Sequence, residues 1–194
     1  MLYRRILSTF DIKIILVLIP RVVSIFFVIF QVLGMASYPG GTIHDLSTNG
    51  YSFTSNFFSD MGAYQARNGE PNYLSMIFFS ISLILVGGTF ALYYLVLPKV
   101  FGNNNRNYYL SWIGTIFALG GSICLIGTGL TPTDLVFDLH VFFANNIFHC
   151  FLITSFFYSV VIFDTDILEK RYAFGYVVFF ISILLYVGVL QFGP

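Results

Sequence analysis

Four side chains in an otherwise greasy sequence are of types that do chemistry together: Ser59 and Asp60 in NFFSDMG, and His140 and His149 in DLHVFFANNIFHC. A carboxylate or imidazole can take the proton of a water or a hydroxyl, and an activated serine is a nucleophile, so the set would suit attack on a lipid ester or amide. Asp60, His140 and His149 are also oxygen and nitrogen ligands of the kind zinc accepts, and zinc would activate water for the same reaction. The sequence has no nucleophile elbow and no HExxH or HxxxH pair. No cofactor is therefore expected; zinc is the ion this set would take.

Binding asks less of the same region, and its candidates are Asn56, Ser59, Asp60, Asp138, His140, Asn145 and His149. On a helix starting near Leu139, Asp138, Asn145 and His149 point within about 40° of one another, and Asn145 and His149 can exchange a hydrogen bond. His140 projects almost opposite His149, so the two cannot chelate one ion from this helix alone. His149 falls roughly 15 Å in from the helix end. At that depth it faces a wet interior or serves as interhelical glue, and both readings stay open. Asp60, Asp134 and Asp138 can equally be solvated carboxylates or caps, and Asp138 before Leu139-His140 fits a cap. His44-Asp45 reads as polar loop.

The elements that must position these residues are membrane spans. Of 194 residues 57 % are hydrophobic, 20 % aromatic and only 9 % charged, more apolar surface than a soluble domain of this size can hide. Five apolar runs are long enough to cross a hydrocarbon core of about 30 Å as helices: 14–36, 73–97, 109–130, 139–163 and 172–190. They lack the alternation of barrel strands, so the expected fold is an all-α bundle in one transmembrane domain, 1–194, with a long polar loop over 37–72. The zero formal net charge gives no footing for nucleic acid. Cys124 and Cys150 lie in apolar runs at different depths, which predicts core residues rather than a disulfide. The basic start resembles a signal peptide, but its apolar run continues to Met35 without a suitable cleavage site, so a retained anchor is expected. Pro20 and Arg21 interrupt the first run. Either Arg21 snorkels from a continuous helix, or the segment up to residue 19 lies on the membrane surface and the span begins at Pro20. The closing Gly-Pro is turn punctuation, which leaves open a sixth helix beyond it.

Lys and Arg residues divide eight to one between alternate loops, with Arg67 alone on the minority side, which predicts a cytoplasmic N-terminus and external first and third loops in a cell membrane. Gly114, Ala118 and Ser122, with Gly121 and Gly129, mark the third span as the central packing helix, and Ser80 and Gly88 share a face of the second. Tyr108, Tyr109 and Trp112 read as interfacial anchors. In the first external loop Phe53, Phe57, Met61 and Tyr64 recur at helical spacing, which predicts a short amphipathic helix lying aromatic face down, its Ser59 and Asp60 bonded to the bundle, His140 included. Gly62 would allow the turn away.

Two stretches together, NFFSDMG and PTD…HVFFANNIF from Pro132 to Phe148, resemble the domain-of-unknown-function family 998, multi-pass membrane proteins distantly akin to the Frag/DRAM/Sfk group. The resemblance implies that Asn56, Ser59 and Gly62 are loop residues of that pattern and His140, Ala144 and Phe148 its helix residues. It also implies six helices, one more than the five runs found here, and no established reaction. Three functions follow as expectations. The first is an external polar pocket that binds a lipid headgroup or a partner helix, with membrane lipids, other membrane proteins or a second copy as partners. The second is a membrane-embedded hydrolase of the ceramidase type. The third is a small-molecule transporter, for which the last span offers only Ser182, Tyr186 and Gln191.

Overall fold

The computed structural model describes residues 9–192. Its elements are α1 (Thr9–Lys13), a π turn over Ile14–Leu18, α2 (Ile19–Ser37), α3 (Tyr73–Val96), α4 (Asn105–Leu130), α5 (Phe137–Phe163) and α6 (Lys170–Phe192), with single 3-10 turns at Phe58–Gly62 and Leu97–Phe101. Among the described residues there is no strand, only isolated bridges between Gly40 and Asn49 and between Gln65 and Pro71. Five helical stretches are long and apolar enough to cross a membrane: Asp11–Ser37, Tyr73–Phe101, Asn105–Leu130, Phe137–Phe163 and Lys170–Phe192. Each contains one of the five predicted runs and extends it by a few residues. Arg4 and Arg5, and the final Gly-Pro, lie outside the described residues.

The interrupted first run stays helical. Pro20 has no amide to donate to residue 16, and its ring crowds that carbonyl, so the preceding turn widens into the π geometry of Ile14–Leu18 rather than breaking. The helical backbone continues from Thr9 through Pro20 to Ser37.

Backbone contacts divide the chain into two compact units to which α3, α4 and α5 each contribute. One, here named the tyrosine unit, comprises the described residues up to Pro20, Thr89–Ile123 and those from Asn145 on. The loop unit comprises Arg21–Gly88 and Cys124–Ala144.

In the tyrosine unit the glycines of α4 are seats for aromatic rings. A methyl group added at Gly114 would lie 3.0 Å from the Tyr158 ring, and one at Gly121 would lie 2.8 Å from Phe151. Ala118, Ser111 and Thr115 are fully buried, and α4 is the most enclosed of the five spans, 56 % against at most 39 % for the others. Its start is capped by Asn104, whose side-chain oxygen accepts from the Asn107 amide at 3.3 Å. At the end of α3, Pro98 cannot donate to the Tyr94 carbonyl, four residues back. The Thr115 hydroxyl does so instead, at 3.0 Å, and accepts from the Tyr158 hydroxyl at 2.8 Å.

In the loop unit Gly34 of α2 sits against Met61 and the backbone of Ser75, and Gly129 of α4 against the Ser80 carbonyl and Leu83 of α3. Gln31 donates to Ser82 in the buried α2–α3 seam. Gly88, expected on the packing face with Ser80, has nothing within 4 Å of where a Cβ would stand. Ser80 makes its contact through backbone, so that face is not a paired small-residue seam.

Candidate functional site

Segment 38–72 is folded on itself by polar contacts. Gly41 adopts φ +81°, a conformation that costs a side-chain-bearing residue, and a Cβ there would collide with the Asn68 amide. Asn56 reads this turn from the side: its amide nitrogen donates to the Gly41 carbonyl at 2.8 Å and to Asp60 Oδ2 at 3.0 Å, while its oxygen accepts from the Ser52 amide. Asp60 Oδ2 also accepts from the Phe57 amide at 3.0 Å and from Arg67 Nε at 2.7 Å. The Arg67 guanidinium lies over the Phe57 ring, 5.6 Å from its centre, and the Arg67 amide donates to the Tyr38 hydroxyl. The hydrogen bond to Asp60 pushes the Arg67 pKa up, and burial pushes the Tyr38 phenol up.

The expected amphipathic helix is absent. Asp60 accepts the amide of Phe57, three residues back, as a residue at a helix start does, but only a single 3-10 turn forms at Phe58–Gly62 before the chain becomes extended at Ala63. Of the four residues at helical spacing only Met61 turns inward, at 0 % exposure, whereas Phe53 is 80 % exposed and Phe57 and Tyr64 are exposed with it. Gly62 is fixed by close approach. A Cβ there would stand 2.6 Å from the Phe79 ring of α3.

Three side chains tie this turn to the helix ends. Asn72, directly before α3, points its amide nitrogen at the carbonyls of Asp60, Met61 and Ala63, at 3.3, 3.1 and 2.9 Å. Between α4 and α5, Thr133 donates to the Ser59 carbonyl, and both oxygens of Asp134 accept, from the Tyr64 amide at 2.7 Å and the Gln65 amide at 2.9 Å. The link to the bundle thus runs through the backbone of Ser59 and through Asp134, not through the Ser59 and Asp60 side chains. Asp60 is engaged by Asn56, Phe57 and Arg67.

His140 is 2 % exposed, and its Nδ1 lies 2.6 Å from the Thr131 carbonyl, with the Thr131 hydroxyl at 3.4 Å. A carbonyl only accepts, so Nδ1 carries the proton and the ring closes the C-terminal end of α4. In the neutral ring Nε2 is then an acceptor, and it is buried without a hydrogen-bond partner. Asn72 Oδ1, directly before α3, and Ser75 Oγ, on its first turn, are in the same condition. All three belong to the loop unit. Asp138 is exposed in the first turn of α5, where a negative charge favours the helix dipole.

His149, in the tyrosine unit, donates from Nδ1 to the backbone carbonyl of Asn145 at 2.9 Å, and not to that residue's side chain. Among the described residues no three His, Cys, Asp or Glu side chains gather as a metal ion would require, so Asp60, His140 and His149 are not brought together. The sequence singles out neither Asn72 nor Ser75, and it leaves Asp134 open to the role of a solvated carboxylate or a cap. An asparagine just before an apolar run is a legible boundary signal, but which carbonyls it reaches depends on contacts 9 to 12 residues away.

No family model, curated protein or solved structure matches this chain.

Proposed function

We propose that this chain is a multi-pass membrane protein that binds a polar lipid headgroup beneath the 58–62 turn, on the non-cytoplasmic side. One observation carries the reading: three buried polar atoms, His140 Nε2, Asn72 Oδ1 and Ser75 Oγ, lack partners on the helix ends that hold the turn. A buried polar group without a partner costs about 1–3 kcal/mol, and native proteins keep few of them unless water or a ligand satisfies them. Two of the three are acceptors, so the matching group carries O–H or N–H donors, as a hydroxyl or ammonium headgroup does. The turn is the lid, and Arg67 with Asp60 is its clasp. The one-sided distribution of Lys and Arg supports the external placement. The likeness to family 998, which has the same loop and helix stretches, is part of this proposal and adds no reaction to it.

Ser75→Ala tests the reading in lipid nanodiscs. If the site is occupied, removing this hydroxyl speeds hydrogen exchange of the amides in 57–67 and weakens lipid retention. If the site is empty, the substitution removes an orphan group and leaves exchange unchanged or slower, which overturns the proposal.

A further inference from the structure

A second feature lies in the tyrosine unit. A groove of about 540 Å³ runs between α5 and α6, walled by Phe156, Val160, Phe163, Val177 and Phe180, with Arg106 and Asp164 at its mouth. That volume falls within the range of about 300–1,000 Å³ typical of small-molecule sites. Arg106 is the second residue of α4, and Asp164 directly follows the last residue of α5, so the charged mouth stands where spans end. From Asp164 to Phe156 the groove reaches eight residues into the span, about 12 Å at helical rise. That is most of one leaflet of a hydrocarbon core about 30 Å thick.

We infer that this groove seats one acyl chain of a phospholipid whose headgroup carries both a phosphate and a primary ammonium, with Arg106 at the phosphate and Asp164 at the ammonium. The charge pattern selects this occupant. Arg106 Nη1 and Asp164 Oδ2 are 3.6 Å apart, too far for a charge-assisted hydrogen bond, and their side chains are 68 % and 43 % exposed. This exposed ion pair is long and weak, and on opening it presents a donor set and an acceptor set to a zwitterion of complementary sign. An anionic lipid would find Arg106 but also the repulsion of Asp164. A choline head would match the charges yet offer Asp164 no N–H. Below the mouth the walls are apolar except for Ser159, whose hydroxyl is taken up by the Ser155 carbonyl, as an acyl chain requires and a soluble zwitterion does not.

The test is native mass spectrometry of the full chain titrated with phosphatidylethanolamine, phosphatidylglycerol and phosphatidylcholine of one acyl composition. The ethanolamine lipid binds about tenfold or more tighter than the other two, the increment one charge-assisted hydrogen bond gives. Asp164→Asn lowers that preference to within about twofold, Asp164→Glu keeps it, and Arg106→Gln weakens all three lipids. Val160→Trp, which fills the groove, removes the binding. Equal binding of the three lipids by the unaltered chain, or a preference that survives Asp164→Asn, overturns the inference. So does a Val160→Trp chain that keeps its lipid, or one that changes only the number of chains per particle, which would mean that a helix of another copy covers the groove.

Discussion

The Thr115 hydroxyl stands 3.0 Å from the carbonyl of Tyr94, in the place of the amide that Pro98 lacks. A proline near the end of a span would otherwise leave that carbonyl without a donor in a medium with no water to replace it. Because Thr115 donates there, it must accept from Tyr158, and one hydroxyl joins α3, α4 and α5 within the tyrosine unit.

Thr115→Val keeps the shape and removes both bonds. It should lower resistance to unfolding by about 1 kcal/mol, the scale of hydrogen bonds between spans. The measurement is unfolding in mixed micelles, and Tyr158→Phe added to Thr115→Val should cost little more, because the pair acts as a unit. Additive costs would mean that the two hydroxyls are independent.

Asp134→Ala should open the loop. Removing the carboxylate frees the amides of Tyr64 and Gln65, a loss of about 1–2 kcal/mol after allowance for exposure. Trypsin cleavage after Arg67 should accelerate by about tenfold, whereas His140→Ala, whose ring caps α4 at Thr131, should leave that rate nearly unaltered. The opposite ranking would show that His140 holds the loop.

Gly62→Ala places a methyl group into the Phe79 ring. Overpacking of this kind costs about 1–3 kcal/mol. Faster amide exchange across 57–67 with unchanged helix content is the expected signature, and Gly62→Ala with Phe79→Leu should restore protection. Unaltered exchange in Gly62→Ala would mean that the turn is not pressed onto α3.

The Asp45 carboxyl is held below the usual carboxylate range by the hydroxyl and amide of Ser47. A depressed folded value means that the turn gains stability above the unfolded carboxylate pKa, about 3.9, and loses it as pH falls through the lower folded value. In a carboxyl NMR titration, Ser47→Ala should raise the Asp45 midpoint. An unmoved midpoint would remove Ser47 as the cause.

The spans were legible because crossing lipid demands runs of about twenty apolar residues, and nothing else in the chain competes with that signal. The packing role of Gly114 and Gly121 was legible too, since rings need small residues opposite. The site was not. Phe53, Phe57, Met61 and Tyr64 have helical spacing, but their backbone obeys Asp60, whose partners include Arg67, seven residues on. Periodicity over a dozen residues carries less weight than one carboxylate with three donors. Likewise Asp134 looked like an ordinary loop carboxylate because its partners lie about 70 positions away.

The wide turn at Ile14–Leu18 holds one residue more than a regular turn would, and so it resets the phase of the helix by about 100°. Asp11 and Lys13 therefore face a different bearing from the one that extrapolation back from Ser37 would assign. Shortening the chain by one residue inside 14–18 would leave every side chain beyond Pro20 aimed as it is, whereas the same deletion at Phe26 would rotate Gln31 out of reach of Ser82.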